Sequence, residues 1–355
     1  MDSTDPVPEE LAPLLESFQA GKRMALARAI SLVENERPGF QEFLHRVLAA
    51  GPRARRVGVT GPPGGGKSSL IAVLADLYRS RGEEVGVVAV DPTSPYSGGA
   101  LLGDRIRMND LATDRGIFIR SMATRGSLGG LATTSKEVID LMDAFGFARL
   151  LIETVGVGQT ELGITGAADT VVVVLVPESG DGIQAMKAGL MEIADIFVVN
   201  KADRPGADRV FNDLRAALHL RAGKVSNDVP AHHGVDLSRV KKKVDAAPSQ
   251  PAPDRHWAIP VLKTVAQTGE GVPELLDAVE QHREYLDESG ELRIRQRLRA
   301  RVRVREVTER SLRGILWRVE TSEEILDAGL DQIQQGGASP YSVSASILKA
   351  LLPGE

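Results

Sequence analysis

The chain has 355 residues, 42 % of them apolar and 26 % charged, with a formal net charge of −5 and no cysteine. That length holds one large α/β domain with appendages or two modest domains, and the apolar share supports a sizeable core. Lack of cysteine excludes disulfides, thiolate metal sites and a cysteine nucleophile, while the acidic balance offers no global basic field to nucleic acid or an anionic membrane.

The first ten residues are acidic and proline-containing, without the basic and apolar regions of a secretory signal. Between 8 and 50 the apolar spacing is helical: Leu11, Leu14, Leu15 and Phe18, then Leu26, Ile30 and Leu32, then Phe40, Phe43, Leu44, Val47 and Leu48. Pro38 divides this region into two or three short helices. From Arg56 the pattern changes to short β-branched runs at 57–60, 85–90, 117–120, 150–153, 170–176, 196–200 and 261–265, separated by helical stretches. Such alternation predicts an α/β fold with a mainly parallel sheet covered on both faces. The longest apolar run, 170–176, is too short to cross a bilayer and reads as a buried strand, so the expectation is a soluble, cytoplasmic protein. The polar stretch 222–256, with Lys241, Lys242, Lys243 and several prolines, reads as a surface insertion whose lysines form a solvated face. From Pro273 the pattern is helical again, and 292–318 is dense in arginine. The organisation expected is an N-terminal helical segment (1–50), a nucleotide-binding domain (51–285) and a C-terminal helical arm (286–355).

The first chemical signal is Gly61-Pro62-Pro63-Gly64-Gly65-Gly66-Lys67-Ser68, which fits G-x-x-x-x-G-K-[ST]. It follows a predicted strand and, with Ser69, opens a predicted helix. Glycines let backbone N–H groups converge on phosphate oxygens, and the helix N-terminus favours negative charge. Lys67 would bridge the β- and γ-phosphates and Ser68 would offer its hydroxyl to Mg²⁺. The motif does not choose between ATP and GTP.

Asp91 closes the second strand and Glu153 the fourth, where Glu153-Thr154-Val155-Gly156 begins. A carboxylate at either tip can hold a metal-bound water, and the Gly156 N–H can sense a γ-phosphate, although a strand-end acid also serves as a helix cap. Between them a glycine-rich stretch carries Asp104 and Arg105, as a nucleotide-sensing loop requires. Arg105, Arg107, Arg120 and Arg125 are phosphate partners or surface ion pairs. After Gly156 comes Val157, where many regulatory GTPases hold a glutamine that orients the attacking water; Gln159 follows two positions later. Slow intrinsic hydrolysis is therefore expected.

Base choice is carried by Asn200-Lys201-Ala202-Asp203 at the end of the sixth strand. An Asp203 carboxylate accepts from guanine N1–H and N2–H₂, whereas adenine would leave it facing an acceptor. Lys201 would pack its stem along the base, and Asn200 would tie this loop to the phosphate loop. The segment 264–271 follows the next strand, and its backbone N–H around Ala266 is a natural partner for guanine O6. A capping turn has a similar sequence.

These stretches, together with Ala89-Val90-Asp91-Pro92-Thr93-Ser94, Leu102-Gly103-Asp104-Arg105, Gly126-Ser127-Leu128-Gly129-Gly130 and Glu153 through Gln159, resemble the MeaB/ArgK GTPases of the SIMIBI class, over about residues 8 to 285. That family includes the methylmalonic aciduria type A protein. The resemblance implies a GTP-hydrolysing chaperone for a B12-dependent acyl-CoA mutase of the methylmalonyl-CoA mutase type, gating adenosylcobalamin loading and protecting the enzyme. It also implies GTP/GDP and Mg²⁺ as ligands and a homodimer stabilised by the C-terminal helices. It assigns Lys67 and Ser68 to phosphate and metal, and Asp91, Asp104 and Glu153 to the Mg²⁺ and switch network. Asp203 and 265–267 fall to guanine, and a further switch to 180–187, where Asp181, Gln184 and Lys187 are candidates. The 222–256 stretch and the arginine-rich tail depart from the family pattern. Two alternatives remain: a metal-insertion GTPase of the same class, for which His232-His233 is the only adjacent histidine pair, and an ATP-dependent amino-acid transport kinase, against which Asn200 to Asp203 argues.

Overall fold

The computed structural model describes residues 6–91, 111–123, 131–154, 162–178, 189–222, 256–318 and 320–351. Three helices come first, α1 (Ala12–Gln19), α2 (Arg23–Glu34) and α3 (Phe40–Leu48), with Pro38 in the turn before α3. Strands and helices then alternate: β1 (Arg55–Thr60), α4 (Lys67–Ser80), β2 (Val85–Asp91), β3 (Ile117–Ala123), α5 (Thr133–Phe145), β4 (Arg149–Thr154) and β5 (Thr170–Leu175). After them come the short α6 (Leu190–Ile193), β6 (Ile196–Asn200), α7 (Ala207–Ala222), β7 (Val261–Thr264) and α8 (Val272–Glu288). The strands form one sheet in the order β3-β2-β4-β1-β5-β6-β7, and every pairing is parallel. The α/β expectation holds. Of the stretch read as an insertion, 222–256, residues 223–255 lie outside the described residues.

Side chains alternate across a strand, so a sheet covered on both faces needs apolar residues at every position. On β5, Val171, Val173 and Leu175 enter one core layer while Val172 and Val174 enter the other; Phe197 and Val199 of β6 oppose Ile196 and Val198 in the same way. The first layer is closed by residues of α1, α2, α3, α5 and α7, the second by α4 and α8. The N-terminal helices thus share a core with the sheet, through Phe18, Leu26, Ile30 and Phe43.

The edge where the strands begin is fastened by buried and half-buried ion pairs. Arg56 of β1 reaches Asp143 at 2.7 Å and Asp140 at 2.8 Å, both on α5. Asp195, just before β6, accepts from the Val171 N–H at 2.9 Å and from both terminal nitrogens of Arg295 at 2.9 Å, with His282 Nε2 3.3 Å away. Burial works against the Asp195 charge, but His282 and the bonded Arg295 beside it hold its carboxyl below the usual aspartate range. With the strand starts fixed in this way, the opposite edge is left to carry loops.

By internal contacts the chain divides into two compact units, 1–296 and 297–355. The second holds most of α9 (Glu291–Arg318), together with α10 (Glu320–Gln334) and α11 (Pro340–Leu351). α10 and α11 pack closely at Gly329, where an added methyl group would lie 2.5 Å from the Val343 side chain.

Candidate functional site

β1 lies in the middle of the sheet between β4 and β5, and its C-terminal end runs straight into the glycine-rich loop. Only glycine fits at two positions there. Gly61 has φ +134°, and a Cβ on it would stand 2.1 Å from the Val174 carbonyl of β5. Gly66 has φ +80°, and a Cβ on it would stand 2.4 Å from Asn200 Nδ2. The loop folds on itself through Gly65 N–H to Pro62 O at 3.2 Å, and α4 begins at Lys67. Its first-turn amides have no carbonyl within the helix to bond and so present positive partial charge to the loop.

Lys67 is 4 % exposed and donates from Nζ to the carbonyls of Gly61 at 2.9 Å and Pro62 at 3.0 Å. These contacts hold its ammonium at the loop. Ser68, also buried, donates from Oγ to Glu153 Oε1 at 2.8 Å. Glu153 lies on β4 directly beside Val59 of β1, so the pairing follows from strand register. One position further, the Thr154 hydroxyl donates to the Thr60 hydroxyl at 2.8 Å and joins the two strand tips. A buried hydroxyl and carboxylate side by side form a hard oxygen donor set of the kind Mg²⁺ takes.

The base side is organised by Asn200 at the tip of β6. Its Nδ2 donates to Gly65 O at 2.9 Å, and its Oδ1 accepts from Thr264 Oγ1 and from the Ala266 N–H, each at 3.1 Å. One side-chain amide therefore joins the phosphate loop, β6 and the loop after β7. The Ala266 N–H, read from the sequence as a partner for guanine O6, is donated to Asn200 in this structure. Lys201 takes φ +58°, a left-handed conformation unusual for a residue with a Cβ, and the Ala202 N–H closes the turn onto Thr264 O at 3.0 Å. Asp203 and Gln267 are exposed beyond this turn, while Val265 and Ala266 are buried in it.

Pro62, Pro63, Gly64 and Gly65 sit in the loop, and Ser69 is exposed on α4. Asp91 ends β2, immediately after Val90, which pairs with Thr154. Arg120 is committed elsewhere, to Glu34 of α2. Asp104, Gly156 and Lys187 lie outside the described residues, as do Arg105, Arg107, Arg125, Val157, Gln159, Asp181 and Gln184. Sequence reasoning missed Thr60, Thr154 and Thr264. Each is a threonine at a strand end, and that position was the available signal.

A phosphate loop leaving the central strand of a parallel sheet, with an asparagine junction two strands away, defines a P-loop nucleoside triphosphatase. A solved structure described as LAO/AO transport system kinase shares this fold, with a TM-score of 0.64 and 24 % identity over 98 % of this chain and 99 % of that one. A Pyrococcus abyssi protein described as a GTPase is 43 % identical over 96 % of this chain and 97 % of its own length. The mouse methylmalonic aciduria type A homolog, described as mitochondrial, is 36 % identical over 77 % of this chain and 63 % of its own length. The family model described as methylmalonyl Co-A mutase-associated GTPase MeaB matches residues 26–321. The chain belongs to that family and is a GTPase.

Proposed function

We propose that this GTPase serves as a chaperone of a B12-dependent acyl-CoA mutase of the methylmalonyl-CoA mutase type, coupling GTP hydrolysis to adenosylcobalamin loading and to protection of the mutase. Family membership supports the partner class, and the Asn200 junction supports the mechanism. Because one amide touches both the phosphate loop and the base loop, any shift of one moves the other. In this reading Asp203 reads guanine, Lys201 flanks the base, and the loop Val265, Ala266, Gln267 closes over it. Gly61 through Ser69 cradle the phosphates, and Lys67 neutralises charge on the β- and γ-phosphates. Ser68, Asp91, Asp104 and Glu153 would hold Mg²⁺, which when bound would neutralise phosphate charge. Gly156 and Lys187 belong to the switch segments that report the γ-phosphate. The working form is a cytoplasmic homodimer, with the N-terminal helices, the GTPase domain and a C-terminal dimerisation arm as its parts.

Val157 cannot orient a water, so the isolated protein turns over slowly, and the mutase accelerates it through the stretches 92–107 and 180–187. Lys187, or an arginine such as Arg105, then meets the developing charge, an effect worth about 10³-fold or more in other GTPases. Single-turnover hydrolysis with and without candidate mutases tests this. A mutase should raise kcat, and Lys187→Ala should reduce that stimulation more than basal turnover. Fast hydrolysis that no mutase changes would defeat the chaperone reading and leave the GTPase assignment standing.

A further inference from the structure

The C-terminal unit segregates its charge by helix. α9 carries ten arginines and three glutamates, whereas α10 carries five acidic residues and no basic one. Within the unit Arg297, Arg301 and Arg305 are exposed at every fourth position of α9, and Glu323, Asp327 and Asp331 are exposed at the same spacing on α10. Residues four apart share a helix face, so each trio forms a stripe, about 12 Å long at 1.5 Å per residue. Among the described residues none of these six side chains has a hydrogen bond or ion pair. Like charges four residues apart repel, so each stripe destabilises its own helix until an opposite charge covers it. Apolar side chains lie beside them: Val304, Leu312 and Ile315 share the arginine face and are 60 % exposed or more, and Leu330 borders the acidic one at 47 %. Two exposed surfaces of equal length, equal period and opposite sign thus occur on one chain and leave each other unused.

We propose that in a pair of chains the arginine stripe of one copy lies along the acidic stripe of the other, and that two-fold symmetry makes this contact twice. The inference rests on the homodimer reading above and assigns its faces and its ionic character. A second copy is the occupant the page favours, because it brings the matching stripe in the matching period and a supply of apolar surface beside it.

Sedimentation velocity on the full chain tests it. The parental dimer constant should weaken about tenfold or more between about 0.05 and 0.5 M salt, as screened ion pairs do. The triple variants Arg297→Glu/Arg301→Glu/Arg305→Glu and Glu323→Arg/Asp327→Arg/Asp331→Arg should each sediment as monomers. An equimolar mixture of the two should recover the dimer, because both reversed and unreversed stripes then face opposite charge. Helical circular dichroism and GTP binding check that each variant is folded, and the single reversals Arg301→Glu and Asp327→Arg replace any that is not. A parent that is monomeric at low salt overturns the homodimer reading along with this one. A dimer indifferent to salt and to both reversals keeps the homodimer and overturns the stripe pairing, leaving the arginines to a different acidic partner.

Discussion

Asn200 Nδ2 lies 2.9 Å from the Gly65 carbonyl, and a methyl group on the adjacent Gly66 would stand 2.4 Å from that nitrogen. The contact between phosphate loop and base loop therefore depends on a hydrogen atom at Gly66. Gly66→Ala adds a left-handed strain of about 1–2 kcal/mol and pushes the amide away from its carbonyl. Affinity for both GTP and GDP should fall by about tenfold or more, as read by fluorescent-nucleotide titration. Parental affinity in that variant would show that the junction does not govern binding.

Lys67→Ala and Ser68→Ala should each abolish GTP turnover. They should differ in stability. Ser68→Ala removes a donor from the buried Glu153 carboxylate and should cost about 1–3 kcal/mol, visible as a lower Tm. Restoring turnover in Ser68→Ala with excess Mg²⁺ would locate the metal away from this hydroxyl.

Asp203→Asn exchanges a double acceptor for a group with one acceptor and one donor. The preference for GTP over ATP should shrink by at least about tenfold in calorimetric competition, because guanine loses one of two partners. Equal affinity of the parent for both nucleotides would remove Asp203 from base recognition.

The sheet was largely legible in the residues. All seven β-branched runs became strands, because full burial on both faces demands continuous apolar sequence, which β5 and β6 display. Strand order was not legible. That Glu153 stands beside Val59, and so beside Ser68, depends on β4 inserting between β2 and β1, and sequence spacing carries no trace of that. Likewise Asn200 was read as a tie to the phosphate loop, but its second partnership, with Thr264 and the Ala266 N–H, needs β7 to lie against β6. The Asp195, His282 and Arg295 cluster escaped notice because each residue alone looks like ordinary surface charge.

That cluster has its own pH signature. The Asp195 carboxyl is depressed in the folded chain, so its stabilising effect is present in full above the unfolded aspartate value of about 3.9 and is lost as pH falls through the lower folded value. Thermal unfolding between pH 5 and about 3 should lose less stability in Asp195→Asn than in the parent. At neutral pH Asp195→Ala should cost about 3–5 kcal/mol, since it strips the acceptor from Arg295 and the Val171 N–H. A parental acid-unfolding slope in Asp195→Asn would assign the acid sensitivity to other carboxylates.

The central position of β1 constrains the order in which the chain can be built. The strand that launches the phosphate loop is made early, yet its neighbours β4 and β5 span Arg149–Thr154 and Thr170–Leu175. Gly61 is held against the Val174 carbonyl, so the loop has no wall to rest on until β5 has been synthesised and has left the ribosome. Nascent chains ending before that point carry the whole phosphate-loop motif without the means to shape it. GTP can therefore act as a folding ligand only in the second half of synthesis, when pairings across more than a hundred residues close together.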